Sequence, residues 1–181
     1  MSVHVASRLS AFLDRELTEA EAREVRQHVA ALLDTETGRL LTLTGPGGVG
    51  KTRLAIEVGH RHLGSRADGV WFVDLAAVTE PARLPFVVAE TLQIRTQVGT
   101  PIVTTLGTRL RSLQTLLLLD NCEQLTDACA ELARELLDAA PQLRILVTSR
   151  EGLNVAGERM VAVRSLRTPA AGADNDLDAV Q

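Results

Sequence analysis

The stretch from residue 45 to residue 52 carries residue types whose spacing suits the binding of phosphate groups. It reads Gly45-Pro46-Gly47-Gly48-Val49-Gly50-Lys51-Thr52 and matches the pattern G-x-x-x-x-G-K-[ST]. Glycines let the backbone wind tightly enough for successive N–H groups to face one anion. Lysine in this pattern reaches the β- and γ-phosphates, and the hydroxyl after it joins a Mg²⁺ shell. We therefore predict that this stretch, together with Arg53, binds ATP or ADP with Mg²⁺.

The segments on either side distinguish a phosphate-binding loop from an accidental glycine turn. Residues 39–44 are an apolar run typical of a buried strand, and residues 51–63 have the spacing of an amphipathic helix. A phosphate-binding loop needs a strand to enter it and a helix to leave it, because the N-terminal end of the helix favours anions. Lys51 is also the one lysine among 19 basic residues, which suggests that arginine cannot replace it.

Acidic residues after a leucine-rich run form a second candidate site. Asp120 ends residues 115–120, where a carboxylate could cap the next helix or hold Mg²⁺ together with Thr52. With a phosphate-binding loop upstream, metal binding is the preferred interpretation. Asn121 stands where hydrolases often place a carboxylate that polarises water, so Glu123 is the nearest candidate for that catalytic role, or else a helix cap. The pattern therefore predicts nucleotide binding and does not predict rapid turnover.

Arg150 is the fourth residue to which we assign a catalytic role, beside Lys51, Asp120 and Glu123. It directly follows the apolar run 144–148, so it would project from the carboxyl edge of a sheet, where α/β folds bind ligands. Its guanidinium could contact the γ-phosphate bidentately. Without a phosphate site, a surface arginine in a salt bridge would be the better interpretation.

Strands alternating with helices predict an α/β fold, which we identify as a P-loop NTPase. The sheet is expected to be mainly parallel and five-stranded, with helices on both faces and a helical N-terminal segment before it. The predicted strands are 39–44, 70–75, 115–120, 144–148 and 158–163. Residues 7–33 are predicted to be helical, with a second helix that starts at the capping box of Thr18 and Glu21. Further helices are predicted at 51–63, 81–92 and 100–113, and one that starts near residue 125. We divide the chain into an N-terminal segment, a core, and the start of a truncated helical subdomain or tail. These are residues 1–38, 39–169 and 170–181.

Composition excludes several other classes of protein. The net charge is −4, only 2% of residues are aromatic, and tyrosine is absent, which argues against a bare nucleic-acid-binding module. Two cysteines make no disulfide framework, and no apolar run approaches the ~20 residues needed to span a bilayer. Because the first residues also lack the pattern of a signal peptide, we expect a cytoplasmic protein without membrane contact.

Four segments together resemble the nucleotide-binding domain of STAND regulatory ATPases, the NB-ARC-like group of large bacterial LuxR- and SARP-type transcriptional regulators. They are LLTLTGPGGVGKTRLA, DGVWFVDLA, LLLLDNCEQL and LRILVTSREGL. An upstream element of that group, which lies near the adenine, resembles Phe12-Leu13-Asp14-Arg15-Glu16. Asp14 replaces its glycine, and Arg15 becomes a further nucleotide-binding candidate. The resemblance spans about residues 10–169.

The resemblance implies a nucleotide switch. In such proteins a bound ADP holds a closed monomer, and exchange for ATP opens it and permits oligomerisation. Self-association is therefore expected only in the full-length, ATP-bound protein, and DNA contact only through domains outside this chain. The helical and winged-helix subdomains of the group would begin where the chain stops, at Gln181.

Three functions follow from these observations. The leading one is a regulatory switch that binds ATP and ADP and hydrolyses ATP slowly or conditionally. The second is a catalytic P-loop enzyme, such as a kinase or a transport ATPase, although no arginine-rich lid or LSGGQ-like signature is found. The third is a scaffold that binds nucleotide without hydrolysing it.

The remaining features favour structural interpretations. Cys122 and Cys129 are expected to be buried thiols of one helix, and Trp71 part of the sheet core. Residues 17–28 resemble an anti-sigma zinc module, but Leu32 and Thr35 stand where its cysteines would be. We therefore predict no zinc site.

Overall fold

The computed structural model describes residues 19–96 and 99–163, and within these ranges the chain forms one α/β sandwich. Its helices are α1 (Glu19–Asp34), α2 (Lys51–His62), α3 (Leu84–Thr91), α4 (Ile102–Leu110) and α5 (Thr126–Ala139). Its strands are β1 (Leu40–Thr44), β2 (Val70–Asp74), β3 (Leu116–Asp120), β4 (Arg144–Ser149) and β5 (Glu158–Ala162). Short 3₁₀ turns, Pro81–Arg83 and Cys122–Gln124, precede α3 and α5. The predicted strands and helices are confirmed with small shifts of their ends, and α1 is the helix predicted from the capping box of Thr18 and Glu21. The helix predicted before it lies outside the described residues.

The five strands form one parallel sheet in the order β2-β3-β4-β1-β5. This arrangement confirms the predicted fold class. β3 is buried over its whole length, as its uninterrupted apolar sequence predicts for a strand covered on both faces. Because all strands are parallel, their carboxyl ends, and the residues that follow them, meet at one edge of the sheet.

Two apolar layers cover the faces of the sheet. On one face α3, α4 and α5 contribute leucines such as Leu106 and Leu132 to the larger core. On the other face α1 and α2 contribute Leu33 and Leu54, among others, to a second core. The side chains of β3 alternate between the two cores, as the pleat of a strand requires. α2, which leaves the glycine stretch, is thereby fixed directly against the sheet.

Two of the structural predictions need correction. Trp71 packs against the larger core but is only half-buried, because it lies on the edge strand β2, and its indole N–H donates to the carbonyl of Asp68 at 3.1 Å. Cys122 and Cys129 are buried as predicted, but Cys122 lies in the 3₁₀ turn and Cys129 in α5 rather than in one helix. Contact with Cys129 and burial raise the pKa of the Cys122 thiol. Among the described residues, no helix has both the length and the apolar character to cross a membrane.

Candidate functional site

The glycine stretch connects β1 to α2 and forms a tight loop at the carboxyl edge of the sheet. Gly48 and Gly50 have φ values of +77° and +89°, which side chains with a Cβ rarely adopt. At Gly45 a Cβ would lie 2.4 Å from the carbonyl oxygen of Val163, so the close approach of two backbones requires glycine there. The carbonyl of Gly50 accepts the first helical hydrogen bond of α2, from Leu54 at 2.9 Å. The loop therefore places the N-terminal end of α2 at the carboxyl edge of the sheet, next to the end of β1.

Lys51 begins α2 and folds its side chain back over the loop. Its ammonium donates to the carbonyl oxygens of Gly45 at 2.8 Å and Pro46 at 2.9 Å. Lys51 is only 8% exposed, and no carboxylate lies within 4.0 Å of its ammonium among the described residues. A nearly buried cation with neutral partners alone favours an anionic ligand.

Asp120 lies beside the loop at the end of β3, and its carboxylate is almost fully buried. The Thr52 hydroxyl donates to Oδ1 at 2.8 Å and to Oδ2 at 3.0 Å, and the Thr148 hydroxyl also donates to Oδ1. Burial raises the pKa of Asp120, while these hydroxyl contacts oppose the rise and the charges of Asp74 and Glu123 add to it. The structure thus brings Thr52 and Asp120 together, as the predicted metal site requires.

These residues fit a divalent cation. No lysine, arginine or histidine of the described chain lies within 4.0 Å of the Asp120 carboxylate, so no cation offsets its buried charge. A carboxylate and a hydroxyl are ligands that Mg²⁺ accepts beside water and phosphate oxygens. A cation at this position would offset the charge whose burial raises the pKa of Asp120.

Two polar residues of the site were missed by the sequence analysis. Thr148 lies near the end of β4 and accepts the backbone N–H of Asn121 at 3.1 Å. Asp74 ends β2, and its Oδ1 accepts the Asn121 side-chain amide at 3.2 Å. The available signal was their position at strand ends, but the order of the strands, which makes β2 and β4 the neighbours of β3, cannot be read from the sequence.

Glu123 and Arg150 meet at the rim of the site. The Arg150 guanidinium Nε lies 3.6 Å from Glu123 Oε1, and the Arg150 side chain is 69% exposed. Glu123 Oε2 is buried without a hydrogen-bond partner among the described residues. The alternative interpretation of Glu123 as a helix cap is wrong, since α5 begins without a side-chain cap. The salt-bridge alternative for Arg150 describes its present contact, and its γ-phosphate role stays a prediction.

The two other arginine candidates have different positions. Arg53 lies in the first turn of α2, and its guanidinium Nε pairs with Glu57 Oε1 at 3.1 Å, so its predicted contact with nucleotide stays a prediction. Arg15 lies outside the described residues, and its predicted role near the adenine stays a prediction.

Three comparisons extend this description. A family model described as an AAA domain matches residues 33–154. A second model, described as a putative zinc-finger, matches residues 4–31. The chain holds no cysteine before Cys122, and the described residues contain no group of three or more histidine, cysteine, aspartate or glutamate side chains placed to hold one metal ion.

The chain is also similar to curated mycobacterial proteins. It is 46% identical over 120 residues to a protein of Mycobacterium tuberculosis named as a putative HTH-type transcriptional regulator, which covers 66% of this chain and 13% of that protein. It is 39% identical over 150 residues to an uncharacterized protein of the same species, covering 83% of this chain and 36% of that one. The chain therefore spans well under half the length of these relatives.

Solved structures share its fold. Cdc6p from Pyrobaculum aerophilum superimposes with a TM-score of 0.61 at 15% identity, covering 84% of this chain and 47% of that chain. Drosophila ORC bound to DNA gives a TM-score of 0.57 at 14% identity, covering 81% and 46%. At these identities the likeness supports the fold alone.

Proposed function

Because this chain belongs to the AAA domain family, we propose that it is an ATP- and ADP-binding switch domain of a STAND-type signalling or transcriptional regulator. The observation that carries the proposal is the single hydrogen-bonded site formed by the glycine loop, Thr52 and Asp120. It combines a nearly buried lysine with a buried carboxylate that has no cation in contact among the described residues. The two unlike charges suit Mg²⁺ and a polyphosphate bound together.

Each group has a distinct role in this proposal. The loop amides and the N-terminal end of α2 bind the phosphates, and Lys51 releases its two loop carbonyls to contact the β- and γ-phosphates. Thr52 and Asp120 hold Mg²⁺, which when bound neutralises phosphate charge. Thr148 keeps the Asp120 carboxylate turned toward Thr52.

The environment of Asn121 supports slow hydrolysis. A carboxamide is not a general base, and the Asn121 Nδ2 donates to two carboxylates, so Asn121 does not activate an attacking water. Glu123 is the remaining carboxylate for that role, and Arg150 contacts it from outside. We propose that Arg150 leaves Glu123 for the γ-phosphate when ATP binds, which would free the carboxylate to polarise water. ATP hydrolysis would then require that Arg150 first moves away from Glu123.

The regulatory part of the proposal rests on the relatives. One is named as a putative HTH-type transcriptional regulator, and this chain matches 13% of it. We propose that a longer protein uses the domain to couple nucleotide state to self-association, with DNA contacted by other parts. The leading alternative is a scaffold that binds nucleotide without hydrolysing it.

Phosphate release from ATP tests the hydrolytic half of the proposal. The wild type is expected to turn over well below the ~1 s⁻¹ at the low end of ordinary enzymes. Glu123→Gln is expected to slow release about 100-fold, as loss of a general base does, with ATP affinity within about twofold. Glu131→Gln, an exposed α5 residue, is the matched control and should leave the rate unchanged.

Two results would change the account. A turnover number typical of metabolic ATPases would contradict the switch. Tight ATP binding with no measurable release by the wild type would favour the non-hydrolysing scaffold.

A further inference from the structure

Asp74 occupies a position at the site that neither the sequence motifs nor the proposed roles use. It ends β2, as Asp120 ends β3, and the two residues are register partners in the parallel sheet. Partners in adjacent strands project to the same side, so the two carboxylates lie near each other. Asp74 is exposed, whereas Asp120 is buried. Two adjacent acids at a strand edge repel each other unless a donor lies between them.

The Asn121 side chain is that donor. Its Nδ2 donates to Asp74 Oδ1 at 3.2 Å and to Asp120 Oδ2 at 3.0 Å, so both of its protons are used between the two carboxylates. Asp74 is itself fixed, because the same Oδ1 accepts the backbone N–H of Ala76 at 2.9 Å. The result is a chain of contacts that runs from the β2 end to the buried carboxylate.

The backbone of Asn121 holds the amide in place from the other side. Its φ of +63° and ψ of 45° are left-handed, a conformation that asparagine tolerates better than most residues. Its N–H donates to Thr148 Oγ1, whose hydroxyl donates to Asp120. Asparagine therefore suits this position by both its backbone preference and its amide. A carboxylate at residue 121 would face two others.

We propose that Asp74 is a positioning residue of the magnesium site: by accepting the Asn121 amide, it fixes the orientation of the Asp120 carboxylate. This inference rests on the proposed function, because it concerns the same nucleotide site. Asp74 acts through Asn121 and not as a ligand, so what it supplies is a hydrogen-bond acceptor. Outer groups that orient metal ligands contribute 10- to 100-fold to metal affinity in other proteins.

Calorimetric titration with ADP, once with Mg²⁺ and once with EDTA, separates the metal-dependent part of binding. Asp74→Ala is expected to weaken ADP binding about tenfold with Mg²⁺ and to leave binding in EDTA unchanged. Asp74→Asn keeps an oxygen acceptor for Asn121 without the charge, and should bind within about twofold of the wild type in both conditions.

Asp68→Ala is the matched control. Asp68 is an exposed aspartate just before the other end of β2, and its carboxylate likewise accepts a backbone N–H, from Gln114 at 2.8 Å. Its loss should leave the Mg²⁺-dependent part of ADP binding unchanged. Thermal unfolding of each variant without nucleotide gives the folded fraction, so that affinities refer to folded protein.

Distinct results would overturn distinct claims. If the wild type binds Mg²⁺-ADP and Asp74→Ala binds it equally well, Asp74 has no positioning role and the proposed function stands. If Asp74→Asn is as weak as Asp74→Ala, the charge rather than the hydrogen bond matters and the positioning role is wrong. If the wild type binds no ADP in either condition, the proposed function fails and the role of Asp74 fails with it.

Discussion

At the scale of residues, the Asp120 carboxylate is the proposed Mg²⁺ ligand, but its burial lowers the stability of the folded protein without a ligand. Asp120 is 3% exposed, and its carboxylate lies among hydroxyl and amide donors with no cation in contact among the described residues. Burial raises its pKa above the ordinary value of 3.8. The folded protein therefore holds the proton more tightly than the unfolded chain. The free energy of unfolding therefore falls as the pH rises from 3.8 through the raised pKa of Asp120. At pH values above the raised pKa, the whole of this contribution to stability is lost.

Removing this charge should stabilise the protein without nucleotide. We expect Asp120→Asn to raise the thermal unfolding midpoint at neutral pH by about 2–4 °C, because its side chain carries no charge to desolvate. The gain should shrink as the pH is lowered, since the wild-type carboxylate then becomes protonated. Thermal unfolding at several pH values checks this, with Asp68→Asn as the exposed control. An Asp120→Asn midpoint at or below that of the wild type at neutral pH would contradict it.

At the scale of elements, α1 is part of the folded core although it largely precedes the segment that matches the AAA domain model. Val29 and Leu33 are fully buried in the core shared with α2. Polar contacts add to this packing: Asp34 accepts the Arg66 guanidinium at 2.9 Å and lies 3.4 Å from His62. The apolar contact is the larger contribution, since Asp34 is mostly exposed.

Truncation of Leu33 measures how strongly α1 is attached. Leu33→Ala removes a fully buried side chain and should lower the free energy of unfolding by about 2–5 kcal/mol. Leu32→Ala, at the neighbouring and only partly buried position, should cost clearly less. Denaturant unfolding of both variants makes the comparison. Equal and small losses would mean that α1 contributes little to the stability of the core.

The elements that the sequence predicts well are those whose signal is local. The apolar runs 115–120 and 144–148 and the helix after the glycine loop depend only on neighbouring residues, and each lies within two residues of its prediction. The candidate site residues Lys51, Thr52 and Asp120 could likewise be predicted from their neighbours in the sequence. Asp74 and the half-buried Trp71 depend on β2 being an edge strand beside β3, and strand order is decided by packing between distant segments.

At the scale of the whole molecule, the sheet order assembles one site from distant parts of the chain. β4 lies between β3 and β1, so Asp120 and the glycine loop flank Thr148 at one edge. Thr52 of α2, 68 residues before Asp120, and Thr148 of β4, 28 residues after it, thereby donate hydrogen bonds to a single carboxylate. This assembly makes the proposed nucleotide site a property of the folded domain and not of the loop alone.

The affinities for ADP, ATP and GTP in the presence of Mg²⁺, for the wild type and Lys51→Ala, test the central claim most directly. Lys51 is expected to contribute a charged hydrogen bond to phosphate, so its loss should weaken binding at least about tenfold. Arg61→Ala, an exposed cation near the far end of α2, should bind as the wild type does. The account predicts adenine-selective binding that Lys51→Ala loses. A wild type that binds neither ADP nor ATP, or a Lys51→Ala variant that binds them undiminished, would contradict it.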